Sequence, residues 1–363
     1  MKKAIPFNLP KLPISLSAEE HLDLMKIVVK AHNSLNTLQA LKQVVPTDLF
    51  SVFSLAESVQ STRIEGTQAT LDEVMEVEAT HQDGNVDVQE VRNYRDALNF
   101  GVQKITDQDH PITISFIKEL HKIILNNSRG ASRAPGEFRR VQNWIGGGDM
   151  SRASYIPPIA SNVMDLMGNL EVFLNETNDE FDPLIMAGIM HAQFESIHPF
   201  LDGNGRVGRL LITLFLLKKR VCGNSIIFVS EELERNKFKY YTLLNNLRKD
   251  EPEWYEWLKF FLTSVDTQAR KYIKTAEEVQ ELLSSLWKDE KISTNSTAQK
   301  ILIFSFSHPV FTAKNIEEAL GITNATANRW LKYFISQKIV YPNDQKRNII
   351  YRNYDLIDIL NRK

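Results

Sequence analysis

The chain is poor in the features that would place it in an obvious class. A single cysteine, Cys222, stands among 363 residues, which rules out an intramolecular disulfide and fits a reducing compartment, so a cytoplasmic protein is the expectation. No stretch approaches the roughly 20 apolar residues that a membrane helix needs. The opening Met1-Lys2-Lys3-Ala4-Ile5-Pro6-Phe7-Asn8-Leu9-Pro10 begins basic, but its prolines interrupt the apolar positions before a signal-peptide core could form. A surplus of one charge is also lacking: 43 Lys and Arg face 45 Asp and Glu, for a formal net charge of −2. What remains is an ordinary soluble composition, 43% hydrophobic, able to bury a sizeable core and long enough for two or three domains.

One stretch concentrates chemistry: His198-Pro199-Phe200-Leu201-Asp202-Gly203-Asn204-Gly205-Arg206-Val207-Gly208-Arg209. Gly203 and Gly205 let the backbone take positive-φ turns and expose successive N–H groups, the arrangement that cradles phosphate oxygens. Asn204 tolerates the same turn and adds a side-chain amide. The apolar run 210–217 reads as a buried helix whose N-terminus, the positive end of its dipole, faces that turn. Arg206 and Arg209 lie three apart, so a helix beginning near Asn204 projects both guanidinium groups toward one bound anion. Asp202 offers a hard oxygen to magnesium, which binds through one or two carboxylates plus substrate phosphates. His198 is then free to take a proton from an incoming nucleophile. A lone Gly-x-Gly is weak and a histidine at a helix end is commonly structural; it is the co-occurrence of base, carboxylate, anion turn and two arginines that makes the stretch a phosphate-handling site.

These residues resemble the signature of the Fic family, His-Pro-Phe-x-Asp/Glu-Gly-Asn-Gly-x-x-x-Arg with an arginine directly after the second glycine. The resemblance implies transfer of AMP from ATP to a hydroxyl side chain (Ser, Thr or Tyr) of a target protein, with release of pyrophosphate. It implies His198 as general base and Asp202 as the ligand of Mg2+ against the α and β phosphates. Asn204 and the backbone of Gly203, Gly205, Val207 and Gly208 would bind phosphate, and Arg206 and Arg209 would take the β and γ phosphates. Doc-like relatives, which phosphorylate instead, carry Lys in place of the second glycine; Gly205 favours adenylyl transfer. Upstream, Ser61-Thr62-Arg63-Ile64-Glu65-Gly66 reads alone as a helix end, with Ser61 and Glu65 one turn apart and Gly66 as the stop. Beside the signature it is similar to the family's inhibitory motif, Ser/Thr-x-x-x-Glu-Gly/Asn, which implies that Glu65, with Ser61, restrains the site.

In chain order, Pro46 opens a segment with Leu49, Val52, Phe53, Leu55, Ala56 and Val59 at helical spacing. Residues 87–98 resemble the amino-terminal region of Fic proteins and are assigned packing roles. Ile114, Ile117, Leu120, His121 and Ile124 form a helical stripe, with His121 read as a packed histidine. Residues 136–148 alternate and then break at Gly146-Gly147-Gly148, and 153–158 form a return arm, which predicts a hairpin. That hairpin is either ordinary surface or, by the resemblance, a flap whose edge at Ser154, Tyr155 and Ile156 pairs with the target segment. Residues 166–174 and 183–197 predict two helices, the second delivering His198. After Cys222-Gly223, residues 231–247 are helical, with Tyr240 and Tyr241 about 100° apart, so one of them faces the nucleotide; the resemblance favours Tyr241. Trp254, Trp257, Leu258, Phe260 and Phe261 read as core.

The tail is a separate module. Residues 289–299 are polar and read as a linker. Residues 312–320, Gly321 and 324–334 predict a helix-turn-helix with Thr312 and Asn324 as N-caps. Ile339-Val340-Tyr341, a polar turn at 343–348, and Ile349-Ile350-Tyr351-Arg352 add a two-stranded wing, so the module resembles a winged helix. From Lys300 onward ten Lys and Arg face five Asp and Glu. That surplus permits DNA binding through Asn324, Thr326, Asn328, Arg329 and Lys332, and protein docking is the alternative.

The expectation is a mainly α protein: an amino-terminal helical domain (1–108) with the inhibitory motif, a Fic-type catalytic core with a β-hairpin flap (109–270), a helix and linker (271–299), and a carboxy-terminal winged helix-turn-helix (300–363). Expected partners are ATP with Mg2+, a target protein that can be the chain itself, DNA through the tail, and a second copy in a homo-oligomer, with no membrane. Two other functions stay open. One is removal of AMP, with Glu65 aligning a water; the other is a DNA-binding regulator that uses the Fic domain as a nucleotide sensor, against which His198 argues because a sensor needs no base.

Overall fold

A computed structural model describes residues 5–41, 49–176, 180–222, 227–345 and 347–362. The basic start at 1–4, Pro46, the side chain of Leu49, Gly223 and Lys346 lie outside the described residues. The order of elements is α1 (Ala18–Leu41), α2 (Leu49–Ile64), α3 (Leu71–Thr80), α4 (Val86–Gln108), α5 (Ile114–Ile124), α6 (Val163–Asn175), α7 (Pro183–Ile197), α8 (Asn204–Lys218), α9 (Ser230–Arg235), α10 (Lys237–Asn246), α11 (Trp254–Leu286), α12 (Glu290–Ser293), α13 (Ser296–Ser307), β1 (Val310–Thr312), α14 (Ala313–Leu320), α15 (Asn324–Ser336), β2 (Tyr341–Pro342), β3 (Ile350–Arg352) and α16 (Tyr354–Asn361). The fold is mainly α, as expected. Among the described residues no helix is long and apolar enough to cross a membrane.

Two compact units result. The first comprises Met1–Asn36, Gln60–Thr67 and Gln89–Ala269. Its centre is α7. Asp182 accepts from the amide of Leu184 and Pro183 occupies the first turn, both favourable at a helix start. From Leu184 to Ile197 every residue is buried, as befits a helix with almost no polar face. α6, α8 and α10 pack on it. At Gly188 a Cβ would lie 2.9 Å from Leu258 and from Phe261, so only glycine lets the start of α11 approach. Trp257 closes that contact by donating its indole N–H to the Gly188 carbonyl at 2.9 Å. This packing fixes where α7 ends, and it ends at His198.

The predicted hairpin does not form as two strands. Ile145 and Tyr155 make one antiparallel bridge, and the tip holds a single 3-10 turn, Met150–Arg152. The reason lies in the arms: Gly146 and Gly147 sit at positive φ, Pro157 and Pro158 have no N–H, and the Arg139 amide is committed to the Pro199 carbonyl. The helix expected over 231–247 is also two, α9 and α10, separated at Asn236.

The second unit comprises Thr37–Val59, Gln68–Val88 and Arg270–Lys363. Its sheet has the order β1-β3-β2, antiparallel throughout, with Phe311 opposite Tyr351 and Pro342 opposite Tyr351. α3 packs on β1 and β3, and Glu76 pairs with Arg352 at 2.5 Å. Thr312 caps α14 through a reciprocal box with Asn315, and Gly321 ends that helix at φ 62°. α15 starts one residue earlier than read: Thr323, not Asn324, is its N-cap and accepts from the Thr326 amide. The polar segment 289–299 is not a bare linker, because Asp289 and Asn295 each accept from two backbone amides and so begin α12 and α13.

Candidate phosphate-binding site

The site in the first unit is assembled by two reversals of the chain at left-handed residues. α7 ends at His198, which takes φ 48° and ψ 61°, an uncommon conformation for a residue with a Cβ. α8 begins after Gly203, at φ 76°. Between them Asn204 staples the loop, accepting from the Phe200 amide at 2.8 Å and donating to the Phe200 carbonyl at 2.9 Å. Its amide thus fixes the shape of the loop with one of its two N–H groups and its oxygen. His121 stacks on Phe200 with ring centres 3.7 Å apart, accepts from the Gly136 amide at Nδ1, and lies 3.0 Å from the Asp202 carbonyl at Nε2. With Nδ1 accepting, Nε2 carries the proton and donates. Burial keeps this imidazole neutral, down to about 4. The packed histidine of the sequence reading thus holds the catalytic-type loop in place.

The N-terminus of α8 supplies donors. The amides of Asn204, Gly205 and Arg206 precede the first helical hydrogen bond, from Val207 to the Gly203 carbonyl, and so have no intrahelical acceptor. Val207 spends its amide in that bond and is fully buried, so it is not a phosphate ligand. Gly208 faces α7 instead of the slot: a Cβ there would lie 2.5 Å from Glu195 Oε1. Arg206 donates to Asp202 Oδ1 at 3.2 Å, while its buried Nε and Nη1 have no partner among the described residues. Asp202 accepts from the Gly203 amide and keeps 40% of its side chain exposed. No cluster of three His, Cys, Asp or Glu that could hold a metal exists among the described residues. A magnesium ion here would rest on one protein carboxylate and complete its shell from phosphates and water, which suits its preference.

The anion slot is faced by Glu65. Its Oε1 is 2.8 Å from Nη2 of Arg209 and would lie 2.1 Å from a Cβ placed on Gly205. Arg209, with a side chain 1% exposed, also donates through Nε to Ser61 Oγ at 3.0 Å and through Nη2 to the Ser61 carbonyl at 2.9 Å. Ser61, in the last turn of α2, and Glu65, just past its end, therefore hold the guanidinium together. Burial opposes the charge on Glu65, but Arg209, followed by Arg206 and His198, outweighs it and holds the carboxyl below the usual glutamate range. Since 35% of the Glu65 side chain still meets solvent, the pair is partly screened.

Tyr240 and Tyr241 divide as their spacing requires. Tyr240 is 1% exposed and bonds His191 Nε2 at 2.8 Å, whereas Tyr241 is 37% exposed and feels the charges of Glu65 and Arg209. Tyr155, at the expected target-binding edge, buries its side chain to 6% exposure with its hydroxyl donating to the Ser196 carbonyl at 2.8 Å. Its neighbour Ser154 is exposed and donates its hydroxyl across the bridge to the Ile145 carbonyl at 2.8 Å, and the Ile156 carbonyl accepts from the Phe7 amide at 2.9 Å.

Several residues were missed. Glu195, buried beside the slot, is raised to about 7 by burial, with Glu65 adding to that and Arg209 and Arg248 opposing it. Glu90, expected only to pack, accepts from Thr67 at 2.7 Å and from Nε and Nη2 of Arg129 at 2.7 Å, just beyond the hexapeptide 61–66. Arg139 and Arg248 run into the end of α7. Nothing local in the sequence marks their reach to α7, since the partners they find there are mostly backbone carbonyls about 50 to 60 residues away.

Two family models match, Fic/DOC family over residues 111–216 and Fic/DOC family N-terminal over residues 25–103. The chain belongs to the Fic/DOC family. A relative named protein adenylyltransferase Fic, from Drosophila yakuba, is 34% identical over 146 residues, which are 40% of this chain and 26% of that protein. The chain thus spans about a quarter of the curated relatives it matches. Among solved structures, a Fic family protein from Desulfovibrio desulfuricans G20 covers 95% of this chain and 98% of its own at TM-score 0.56 and 20% identity. Fic-1 from C. elegans covers 70% of this chain and 73% of its own at TM-score 0.57 and 19% identity. These structural likenesses bear on the fold.

Proposed function

We propose that this Fic protein transfers AMP from ATP to a hydroxyl side chain of a target protein, which can be another copy of itself, and that Glu65 restrains the reaction. The observation that carries the reading is the slot at the start of α8. Three amides without an intrahelical acceptor, the unpartnered donors of Arg206 and the guanidinium of Arg209 belong to the first turns of one helix, a set that suits a polyphosphate, and His198 lies just before them. The names of the curated relatives point to the same reaction.

In this reading His198 takes the proton of the target hydroxyl, whose oxygen bonds to the α phosphorus while the bond to the bridging oxygen of pyrophosphate breaks. Asp202 would hold Mg2+, which supplies charge neutralisation for the phosphates when bound. Arg206 and the amides of residues 204–206 hold the β phosphate, Arg209 holds the γ phosphate, and Tyr241 stands on the adenine side. With ATP labelled at the α phosphate, the protein should label itself or a partner, and His198→Ala should abolish labelling, since loss of a general base costs ~10²- to 10⁴-fold. Transfer of a γ label instead would identify a kinase. AMP removal is distinguished by loss of α label from a modified protein, with Glu65 required.

A second reading concerns α13 to β3, which we read as a winged helix that binds DNA. The outward face of α15 carries Asn328, Arg329 and Lys332 and no carboxylate, and among the described residues neither cation makes an ion pair. Such a face suits phosphate and groove contacts.

A further inference from the structure

A helix end leaves its last carbonyls without intrahelical donors. At the end of α7 each of them meets a side chain. The Glu195 carbonyl accepts from Nη2 of Arg248 at 3.0 Å, and the Ser196 carbonyl from the Tyr155 hydroxyl at 2.8 Å. The Ile197 carbonyl accepts from Nη2 of Arg139 at 3.3 Å, and the His198 carbonyl from Nε of Arg139 at 3.0 Å and from Asn143 at 3.3 Å. The Arg139 amide then holds the Pro199 carbonyl at 2.9 Å.

Two arginines in this set are unusual for what they lack. Arg139 is 3% exposed, and Arg248 lies with its guanidinium 4.1 Å from the centre of the Tyr155 ring. Among the described residues neither forms an ion pair. Their charge is offset by the negative end of the α7 dipole and by the tyrosine ring. Meanwhile no side chain of the described residues hydrogen-bonds the imidazole of His198; Nδ1 is buried with no well-aligned partner, and the nearest acceptor is the Glu195 backbone one turn earlier. The usual device for aiming a catalytic histidine, a carboxylate on its inner nitrogen, is absent among these residues. The ring is aimed by its backbone, and that backbone sits in a left-handed conformation that its surroundings must enforce.

We propose that Arg139 and Arg248 are positioning residues for His198: they cap the final carbonyls of α7 and set two cations beside the imidazole, presenting it as a fixed, neutral base. The proposal rests on the reading of His198 as the base. The charged groups facing the ring are Arg248 and Arg139, which disfavour its protonation, and Glu65, which favours it. Burial is the largest influence and the two arginines reinforce it, leaving the imidazole well below its ordinary range, at about 3. Tyr155 joins this cap to the segment that carries the Ile145 bridge, so a target paired along that segment and the histidine share one support.

The test uses the full chain carrying Glu65→Gly, with Arg139→Lys, Arg139→Met, Arg248→Lys, Arg248→Met and Tyr155→Phe added singly. Readouts are melting temperature, kcat and KM for α-label transfer against pH, and the titration of His198 by NMR, assigned with His198→Ala. In the Met variants we expect kcat to fall by about tenfold or more with KM for ATP within about twofold, since misplacing a reacting group can cost ~10²-fold. Their acid limb and the His198 titration should move up by about one pH unit, as follows from removing a like charge. The Lys variants should keep the titration near the parent but not the rate, because an ammonium supplies charge without the fork. Tyr155→Phe should lower kcat without moving the titration. Parent-like kcat and titration in Met variants that melt like the parent overturn the proposal. If the Met variants do not fold, Lys and Phe variants with parent-like kcat overturn it instead. Absence of transfer in the parent itself removes the functional reading, and the ring titration then decides the placement of the two cations by itself.

Discussion

Oε1 of Glu65 lies 2.8 Å from Nη2 of Arg209, across 144 residues of sequence, and the same carboxylate sits against Gly205 at the start of α8. A single side chain thereby occupies both the guanidinium and the helix N-terminus that a terminal phosphate would need. A carboxylate and a phosphate compete poorly in one place, since like charges a few ångström apart repel more strongly as water is excluded.

Removal of that carboxylate should raise turnover. In Glu65→Gly we expect labelling at saturating ATP to rise by ~10²-fold, the size of effect that freeing a misplaced reacting group can have. ATP affinity should rise less, because the slot can hold part of the nucleotide without the γ position. The gain should vanish when His198→Ala is added. Equal rates for wild type and Glu65→Gly would sink the inhibition.

Gly205 should tolerate no side chain. A Cβ there meets Glu65 Oε1 at 2.1 Å and Nη1 of Arg209 at 3.0 Å. Gly205→Ala should therefore displace Glu65 yet fail to activate, because the methyl takes the space of the phosphate. In the Glu65→Gly background it should lower transfer by about tenfold or more through the same misplacement. A double variant as active as Glu65→Gly would show that phosphate does not approach this backbone.

Stability should carry two opposed pH dependences. His121 is held at about 4, and His191 and His198 at about 3, by burial. Each is neutral when folded and protonates near 6.5 when unfolded, so their contribution is complete above about 6.5 and is lost as pH falls toward 4. Glu195 behaves oppositely, raised by burial to about 7, so its contribution is complete below its unfolded value and lost as pH rises toward 7. Denaturant midpoints measured from pH 4.5 to 8 should show the wild type losing stability at the upper end relative to Glu195→Gln. Parallel curves for the two proteins would remove the buried neutral carboxyl.

Should the carboxy-terminal unit bind DNA, the full chain will bind duplex with an affinity that falls steeply with salt, because each phosphate contact releases condensed cations. Arg329→Ala with Lys332→Ala should flatten that slope by about two and weaken binding across sequences. No binding at low salt to a library of genomic fragments leaves the module as a protein-docking surface.

Much of the site was legible because its parts are neighbours in the chain. The glycine turn, the buried helix behind it and the two arginines lie within one stretch, and backbone preference places them: Gly203 alone among these residues adopts φ 76° without a Cβ penalty, and the apolar run from Leu210 must be interior. The helix stop at Gly66, the box at Thr312 and the end at Gly321 were readable for the same reason, since caps act over three or four residues. Tertiary structure decided what those parts do to each other. Alternation along 153–158 shows which residues share a face, not that the Tyr155 side chain is the covered one. Spacing does not reveal that the Asn204 amide closes the loop at Phe200. Val207 looked like part of the cradle until the first turn of α8 claimed its amide. Arg139 and Arg248 give no sign of their place at α7: the acceptors that tie them there are mainly its final carbonyls, groups that every residue carries, and only the packing of that helix decides which side chains reach them.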